Sequence, residues 1–284
     1  MLTPVQDVYA SLWESVKERN LLYYERYPGD ISVVKRIVRI LLNHPVKLLS
    51  GGNLTARRFL QLGLGLGGSP SAFASLHNLL STALIGDGDD AVFSRSFLKH
   101  MDSVQPFDDH PIYFLLHESI YADGTNAPTD WAAHTVYERI TKYPSEYSYQ
   151  LTAKLNSDDR PTLFFGEMVF PWMADGDYAE LSGLGMKLLA RSLAQKSDWT
   201  PIYNIEKMRT ALESGAAKAA AAVYVDDMYV DFNASMKVTR RGAPLEKCKI
   251  WVTNEYQHSG IRDDGARIFS KLIHMAKGSV GMPS

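Results

Sequence analysis

The segment A-V-Y-V-D-D-M-Y-V-D (222–231) decides the fold class of this chain. It begins with an apolar run that stops at two carboxylates, Asp226 and Asp227. About thirty residues later, W-V-T-N-E-Y-Q-H-S-G (251–260) has the same layout, with His258 in the polar stretch after the apolar residues. Catalytic groups gather beyond the carboxyl ends of parallel strands, and an acid with a base placed there usually serves a nucleophile.

The apolar runs 219–225 and 249–253 predict two buried parallel strands, because both are short and rich in β-forming residues. A helix is predicted between them over 232–241, and a second helix follows over 262–277. The order strand, helix, strand, helix is typical of the edge of an α/β sheet. We therefore expect residues 216–284 to form a piece of an α/β core.

The preceding region, 1–215, predicts a succession of helices. Apolar residues recur there at helical spacing in the segments 5–27, 30–44, 55–66, 70–84, 93–101, 111–121 and 130–141. Asp30 is predicted to cap the second helix, and Ser69 the fourth, with Pro70 at its first position. The segment 142–160 is polar and aperiodic, which predicts an exposed connection.

Composition and charge narrow the class of protein. The chain has 284 residues, 45% hydrophobic and 22% charged, as in an ordinary globular protein. A net charge of −2 gives no reason to expect nucleic acid or an anionic membrane as partner. No apolar run approaches the roughly 20 residues that cross a bilayer, and the N-terminus lacks a signal-peptide pattern. The single Cys248 excludes an internal disulfide and a cysteine zinc site. We therefore expect a soluble cytoplasmic protein.

The order of the two polar groups favours a particular kind of catalytic site. In α/β hydrolases the nucleophile comes first along the chain, then the acid, then the histidine. The histidine removes the serine proton, and the aspartate holds the correct histidine tautomer. An aspartate followed about thirty residues later by His258 fits this order. The spacing alone leaves a structural role open for both residues, and it does not choose between Asp226 and Asp227.

Six stretches, in order along the chain, resemble one known family. They are Y-Y-E-R-Y-P-G-D (23–30), L-T-A-R-R-F-L-Q-L-G (54–63), L-L-H-E-S-I-Y (115–121), F-F-G-E-M-V-F-P-W-M (164–173), V-D-D-M-Y-V-D (225–231) and W-V-T-N-E-Y-Q-H-S-G (251–260). Together they resemble the proline iminopeptidases of fungi and many bacteria, over nearly the whole chain. The resemblance implies an α/β-hydrolase serine peptidase that removes N-terminal proline from peptides. It also implies a helical cap over the active site and no need for a metal or other cofactor.

The resemblance assigns roles to matching residues. Asp227 matches the family's triad acid and His258 its base, with Asp226 as the alternative acid one position earlier. The family uses cap glutamates to recognise the free amino terminus of the substrate, and Glu167 is the first candidate for this role. Glu118 is the second candidate. Two aromatic residues of the fourth stretch can form either an apolar wall for a proline ring or ordinary cap core, namely Phe170 and Trp172.

The chain departs from the family at the nucleophile. An α/β hydrolase presents its serine in a G-x-S-x-G turn, and the nearest match here is G-G-S-P-S (67–71). Nothing resembles the family's first strands or its oxyanion-hole loop. The sequence therefore predicts a truncated α/β hydrolase, with a helical cap in 1–215 and the last two core strands in 216–284. We expect such a chain to be inactive alone, because the triad acts as a unit.

Two other functions remain open at the level of sequence. One is a non-catalytic helical module that binds a partner through an apolar cleft. The other keeps the α/β-hydrolase fold but acts on a small-molecule ester or amide, since a fold does not fix a function. The oligomeric state is not specified by any of these patterns.

Overall fold

The computed structural model describes residues 3–104, 107, 109–156 and 160–279. Helices dominate it. They are α1 (Val5–Arg26), α2 (Asp30–Asn43), α3 (Ala56–Leu60), α4 (Ala72–Ser81), α5 (Arg95–Ser103), α6 (Pro111–Leu116), α7 (Ala132–Thr141), α8 (Tyr149–Thr152), α9 (Leu184–Ala194), α10 (Ile205–Glu213), α11 (Phe232–Thr239) and α12 (Gly260–Lys277). Short 3-10 helices cover Gln61–Gly65, Gly88–Asp90, His117–Tyr121 and Pro171–Ala174.

Three two-stranded sheets complete the described fold. Two are short antiparallel pairs, β1 (Val46–Lys47) with β2 (Asn53–Leu54), and β3 (Leu84–Ile85) with β4 (Val92–Phe93). The third pairs β5 (Ala220–Tyr224) with β6 (Lys249–Thr253) in parallel. The parallel pair confirms the predicted strand–helix–strand–helix order, because α11 connects the two strands and α12 follows them.

The α1 helix lies in the main core. Tyr9, Trp13, Val16 and Tyr23 on its buried face are at most 2% exposed. The Trp13 ring lies 5.1 Å from the ring of Tyr137 on α7, so the first helix packs against a helix more than a hundred residues away. Burial of large aromatic side chains of this kind contributes most of the stability of such a core.

An irregular buried segment, 161–169, crosses this core and carries Glu167. It has no regular secondary structure, so its backbone groups need partners from elsewhere. Asn20, fully buried on α1, donates to the Phe164 carbonyl at 3.1 Å and accepts the Phe164 N–H at 2.8 Å. The Phe165 N–H donates to the Leu60 carbonyl at 2.8 Å. These bonds fix the segment and hence the place of Glu167.

Two predicted helix caps are wrong. Gly29 occupies the cap position of α2, and Asp30 is the first helical residue. The Asp30 side chain is buried, where it accepts from the Tyr23 hydroxyl and contacts Nδ1 of His77 at 3.0 Å. Likewise α4 begins at Ala72, so Ser69 and Pro70 lie before the helix. A tertiary hydrogen bond competes with local capping for a short polar side chain.

The predicted helix 55–66 is interrupted. The α-helix ends at Leu60, and a 3-10 helix continues to Gly65. A Cβ added at Gly63 would lie 2.2 Å from the Phe165 carbonyl oxygen, so only glycine permits this close approach of two backbones. Gly63 therefore permits the contact with the segment 161–169.

The connection predicted to be exposed, 142–160, is partly buried. Tyr147 and Tyr149 are each 9% exposed, and Thr152 is fully buried. The Tyr147 ring packs edge-on against Trp13 at 6.0 Å. Residues 157–159 of this stretch lie outside the described residues. Tyrosines that alternate with polar residues gave no helical period, so their burial could not be predicted.

The parallel pair is less buried than predicted. Val223 and Trp251 are each 9% exposed, whereas Val252 is 43% exposed and most other strand residues are half-buried. A second, small core joins Trp251 to Ile268 and Met275 of α12. A sheet of two strands leaves both outer edges and much of one face open, which is the physical reason for the difference.

Candidate active site

Asp227 and His258 lie side by side just beyond the ends of β5 and β6. The register pairs Tyr224 with Thr253, the last residue of each strand, so the two following loops start at the same edge. Nδ1 of His258 lies 3.1 Å from Oδ2 of Asp227. The Asp227 side chain is 6% exposed and that of His258 is 44% exposed. The acid is therefore buried while the base faces solvent.

The loop backbone holds the Asp227 carboxylate in place. Its Oδ1 accepts the N–H groups of Tyr229 at 2.8 Å and of Val230 at 3.0 Å. This leaves Oδ2 for His258. A hydrogen bond from Nδ1–H to the carboxylate assigns the tautomer in which Nε2 is unprotonated and can accept a proton. The pair has the arrangement of an aspartate and histidine that activate a nucleophile.

Asp226, the alternative acid, has a different position. It is exposed and borders a cleft of about 260 Å³ together with Arg19 of α1. Burial lowers the pKa of Arg19, and the charge of Asp226 acts in the opposite direction. The geometry therefore pairs His258 with Asp227 and turns Asp226 towards the arginine.

Tyr229 joins the base to the helical region. Its ring lies 4.7 Å from the His258 ring at an interplanar angle of 60°. Its hydroxyl donates to the carbonyl of Leu64, which lies in the glycine-rich 3-10 helix. Burial raises the pKa of Tyr229, so the phenol stays neutral and keeps this donor. One wall of the candidate site is thus supplied by the D-D-M-Y-V-D segment itself and is anchored to the helical region.

Arg19 forms a second connection to the histidine loop. Its Nη2 donates to the side-chain oxygen of Gln257 at 2.7 Å, and its Nε donates to the Leu66 carbonyl at 3.0 Å. The guanidinium also lies over the Phe73 ring at 4.3 Å. Because Gln257 precedes His258, this arginine restrains the loop that carries the base.

A cleft of about 200 Å³ opens beside the acid–base pair. Asp227 and His258 line it together with Val223, Val230 and Ser235. Ser235 lies inside α11, so it is not on a sharp turn between a strand and a helix. The serine next to the base, Ser259, donates its hydroxyl to Asp263.

Glu167 lies among aromatic side chains that carry hydrogen-bonding groups. Its carboxylate accepts the Tyr113 hydroxyl at 2.5 Å. Burial, together with the charges of Glu167 and Glu118, raises the pKa of Tyr121 to about 12. The charge of Glu167 also acts on Tyr229, which contacts His258. In the described part of the chain, no lysine or arginine forms an ion pair with Glu167.

Two buried polar atoms near Glu167 lack partners among the described residues. They are the Tyr9 hydroxyl and Nε2 of His117. The His117 ring stacks on Tyr113 at 4.9 Å and bonds the Glu167 backbone carbonyl, and burial lowers the pKa of this histidine. An unpaired buried polar atom is costly, so a polar group supplied from outside the chain is expected in this space.

Glu118 has a structural contact. Its two oxygens accept the N–H groups of Ala132 at 3.0 Å and Ala133 at 3.1 Å, at the first turn of α7. The residue before this helix, Trp131, has a left-handed φ of 55° and offers no side-chain cap. Glu118 therefore satisfies the free donors of the helix terminus from a distant position. Both carboxylate oxygens are engaged within the fold.

The two aromatic candidates lie in different surroundings. Phe170 is 1% exposed and packs against Phe165 at 5.4 Å, which favours its role in the core. Trp172 is half-buried and stacks on Phe170 at 5.1 Å, with the Arg57 guanidinium 4.6 Å from its ring. Phe170 is thus enclosed in the core, whereas Trp172 keeps part of its side chain accessible.

Sequence reasoning missed four residues of the site: Arg19, Tyr113, His117 and Tyr229. The H-E-S motif pointed to Glu118, and its neighbour His117 is the residue that contacts Glu167. Tyr229 could have been selected from the sequence, because it is an aromatic residue only two positions after Asp227. Arg19 lies in an ordinary amphipathic helix, so no local pattern distinguished it.

The buried aspartate, the solvent-facing histidine and the parallel strands that carry them have the geometry expected of the acid–base half of a hydrolase-type site. The comparisons with known proteins agree with this class. The chain is 35% identical to a proline iminopeptidase of Aeromonas sobria over 269 residues, and 28% identical to proline iminopeptidase aneH of Aspergillus aculeatus over 275 residues. Over this shared length the chain is similar to the proline iminopeptidases. This similarity favours an α/β-hydrolase fold, and the helix-rich architecture of the described residues, with its parallel strand pair, is consistent with that fold.

The alignments cover the chain and its relatives unequally. They include 95% and 96% of this chain but only 57% and 55% of the two relatives. The chain thus spans little more than half the length of the curated relatives that it matches. No family model matches the chain.

The described residues lack two kinds of feature. They contain no helix that is both long and apolar enough to cross a membrane. They also contain no group of three or more His, Cys, Asp or Glu side chains arranged to hold a metal ion.

Proposed function

We propose that this chain supplies the acid, the base and the cap of a serine hydrolase that releases N-terminal proline from peptides. The contact between Asp227 and His258 at the ends of two parallel strands is the observation that carries this proposal. The similarity to relatives named proline iminopeptidase supports the substrate class. A cytoplasmic location stays a prediction from the sequence.

The mechanism assigns a separate task to each member of the pair. His258 accepts a proton at Nε2 from a serine hydroxyl as the oxygen attacks the prolyl carbonyl. The imidazolium then returns the proton to the departing amine of the peptide. Asp227 holds the Nδ1–H tautomer and stabilises the positive ring, without itself taking the proton. These steps agree with a base that faces solvent and an acid that is buried.

The nucleophile is proposed to come from a segment that this sequence does not include. The 284 residues contain no G-x-S-x-G turn, and the relatives are longer than the part that aligns. A serine on such a turn, presented opposite His258, would complete the triad and its oxyanion hole. The 284-residue chain alone is then expected to be nearly inactive as a peptidase.

Glu167 is proposed to bind the ammonium group of the substrate. Its carboxylate has a hydrogen bond from Tyr113 but no ion pair within the described chain. The Tyr9 hydroxyl and the His117 ring nitrogen, both without a partner among the described residues, lie near it and could bond an external polar group. A carboxylate paired with an N-terminal ammonium forms a charge-assisted hydrogen bond, which anchors the residue whose carbonyl is attacked.

A fluorophosphonate probe for activated serines tests this proposal. We compare the 284-residue chain with the same chain joined to the part of the Aeromonas sobria relative outside the alignment. The joined form should label stoichiometrically and hydrolyse a prolyl amide, whereas the chain alone should do neither. Stoichiometric labelling of the chain alone would contradict the external nucleophile, and Ser235→Ala would show whether α11 supplies the serine.

The substrate preference of the joined form distinguishes the proposed aminopeptidase from a hydrolase of small-molecule esters or amides. Preference for a free prolyl amide over an N-acetylated prolyl amide supports an aminopeptidase. Equal rates on both, with faster turnover of simple esters, would instead assign the site to small-molecule esters or amides.

A further inference from the structure

The glycine-rich run L-G-L-G-G (residues 64–68) lies against the loop that follows β5. A Cβ added at Gly67 would lie 2.8 Å from Cβ of Met228 and 2.8 Å from Cε2 of Tyr229. Carbon atoms in contact are about 3.5–4.0 Å apart, so an alanine methyl group would displace this loop by roughly 0.7–1.2 Å. The close approach therefore requires glycine at position 67.

The run binds the hydroxyl of Tyr229 through two backbone groups. The hydroxyl donates to the Leu64 carbonyl, and the backbone N–H of Gly67 bonds the same hydroxyl. At its other end, Tyr229 donates its own backbone N–H to Oδ1 of Asp227 at 2.8 Å. A residue fixed at both ends has little freedom to turn, so the run determines where the Tyr229 ring lies.

A second carbonyl of the run supports the loop that follows β6. The Leu66 carbonyl accepts Nε–H of Arg19 at 3.0 Å, and Nη2 of the same guanidinium donates to the side chain of Gln257 at 2.7 Å. Gln257 directly precedes His258. Two carbonyls of one short run therefore restrain both loops that carry the acid–base pair.

The orientation of the His258 ring depends on support of this kind. Its Nδ1 contacts Asp227, and the side chain is otherwise half-exposed. A single hydrogen bond leaves a ring free to rotate about the axis of that bond. The Tyr229 ring, 4.7 Å away at an interplanar angle of 60°, restricts this rotation. A displacement of Tyr229 would thus change the direction of Nε2.

We propose that residues 64–68 are the positioning element of the base, in which Gly67 gives the Tyr229 ring its place and Tyr229 orients His258. A base must lie within about 2.6–3.2 Å of the group whose proton it takes, so a displacement of roughly an ångström impairs it.

This inference rests on the proposed role of His258 as the base. Its test needs no turnover, because it observes the His258 ring in the chain as it stands. A joined form that fails to react with the fluorophosphonate probe would contradict the proposed function and leave the result of this test unchanged.

NMR of the 284-residue chain with ¹⁵N-labelled histidine tests the positioning element. The His258 signals are those that disappear in His258→Gln. In the original protein we expect the Nδ1–H tautomer, and nuclear Overhauser effects between the rings of His258 and Tyr229. In Gly67→Ala these Overhauser effects should be lost, and the Nε2 signal should move towards the average of the two tautomers. The signals of His134 on α7 and His274 on α12 should stay in place.

Gly65→Ala is the matched control. Gly65 is exposed, and a Cβ there would meet no atom of the described chain within 4 Å. Neither Gly65 nor Gly67 has a left-handed φ, so the backbone tolerates alanine at both positions. Gly65→Ala should therefore leave the His258 signals unchanged.

Tyr229→Phe is an independent variant, which keeps the ring but removes its bond to the Leu64 carbonyl. Amide exchange in residues 226–230 should become about 2- to 12-fold faster, because one neutral hydrogen bond no longer holds this loop. The Overhauser effects between the two rings should weaken.

Two results would overturn the proposal: a folded Gly67→Ala with unchanged His258 signals, or equal changes in Gly65→Ala and Gly67→Ala. Equal shifts of His134 and His274 would show a general loosening of the fold and would overturn it as well. If Gly67→Ala does not fold, Tyr229→Phe decides. Altered His258 signals with faster exchange in 226–230 then support the proposal, and unchanged signals contradict it.

Discussion

At the scale of single residues, the site depends on how each carboxylate is partnered. Asp227 is held by two backbone N–H groups and directs one oxygen to His258. Glu118 is held by two backbone N–H groups as well, but both of its oxygens are used. Glu167 receives a phenol hydrogen bond and no cation from the described chain. The same functional group therefore has three different chemical roles, which its neighbours determine.

The first prediction concerns the choice between two adjacent aspartates. In the joined, serine-bearing form, Asp227→Asn should lower turnover by about 10⁴-fold, because the histidine loses the carboxylate that fixes its tautomer. Asp226→Asn should change turnover only slightly, since Asp226 is exposed and faces Arg19. Steady-state kinetics on a prolyl amide measure both effects. If the two variants behave in the opposite order, Asp226 is the acid.

The second prediction concerns recognition by Glu167. Hydrogen bonds to charged groups contribute roughly 1.5–3 kcal/mol. Glu167→Gln in the joined form should therefore lower kcat/KM for a free prolyl amide by about 10- to 150-fold. Hydrolysis of a simple acetate ester should barely change, because this substrate has no amino terminus. Equal losses on both substrates would mean that Glu167 supports the structure of the cap instead.

At the scale of elements, side chains distant in sequence supply hydrogen bonds that helix ends and loops do not receive from neighbouring residues. The start of α7 has two successive residues with left-handed φ, Asp130 at 48° and Trp131 at 55°. Such conformations are unfavourable for residues other than glycine and persist only where the surroundings stabilise them. Glu118 supplies that stabilisation by binding the first free N–H groups of the helix.

The third prediction concerns the pH dependence of this helix start. Burial raises the pKa of Glu118 from its ordinary 4.5 to about 7, against the opposing effect of the N–H groups. The pKa of Glu118 is higher in the folded protein than in the unfolded one. The free energy that protonated Glu118 contributes to folding is therefore fully present below about pH 4.5 and is lost as pH rises to 7. The loss amounts to about 3 kcal/mol.

Urea unfolding of the original protein and of Glu118→Gln, at pH 5 and pH 7.5, measures this effect. The glutamine stays neutral, so its stability should change less between the two pH values. Glu118→Ala should be destabilised at both, because the helix donors lose their acceptors. A decrease in stability for Glu118→Gln that is the same at both pH values would show that the carboxylate stays ionised in the folded protein.

The fourth prediction concerns Arg19 as a positioning residue. Arg19→Met should destabilise the protein by about 1–3 kcal/mol and speed amide hydrogen exchange in residues 254–259, because the contacts to Leu66 and Gln257 are lost. Arg19→Lys should restore part of the protection, since a lysine keeps one donor but not the fork. Gln257→Ala is the control, because it removes the contact between Arg19 and Gln257 and keeps the contact between Arg19 and the Leu66 carbonyl.

Hydrogen exchange measured by mass spectrometry separates a local effect from general destabilisation. Increased exchange throughout the described helices, with no excess in 254–259, would show that Arg19 has only a general structural role. In the joined form, a lower kcat with an unchanged KM would add independent support for a role in placing His258.

At the scale of the whole molecule, the helical region is well packed and the parallel pair is not. The main core contains most of the buried aromatic residues, whereas the second core consists of Trp251, Ile268 and Met275. Exposed apolar residues lie on this smaller part, including Val252 at 43% and Phe269 at 63%. Apolar surface and free strand edges of this kind favour association.

The fifth prediction follows from this uneven packing. The 284-residue chain should associate as its concentration rises, as measured by sedimentation velocity. Val252→Lys should reduce the association, because a charge on the strand opposes edge pairing and apolar contact. Gln195→Lys, which adds the same charge at an exposed polar position outside the strands, is the control and should associate like the original chain. A monomer at every concentration would contradict the prediction.

Local patterns were sufficient for several features of this protein. The apolar runs gave β5 and β6 nearly to the residue, and helical periodicity gave α1, α2, α7, α11 and α12. The aspartate and histidine after the strands were recognised as a pair, because parallel strands bring their carboxyl ends to one edge. These features depend on residues close in sequence or on a general rule of topology, so the sequence by itself determined them.

Tertiary structure decided the features that depend on contacts between distant residues. Whether Asp226 or Asp227 meets His258 depends on a turn held by the N–H groups of Tyr229 and Val230. The role of Glu118 was fixed by the α7 donors, and the burial of Phe170 by packing against Phe165. No local pattern encodes such contacts, because the free energy of a carboxylate or an aromatic ring depends on its final neighbours and on its exposure to water.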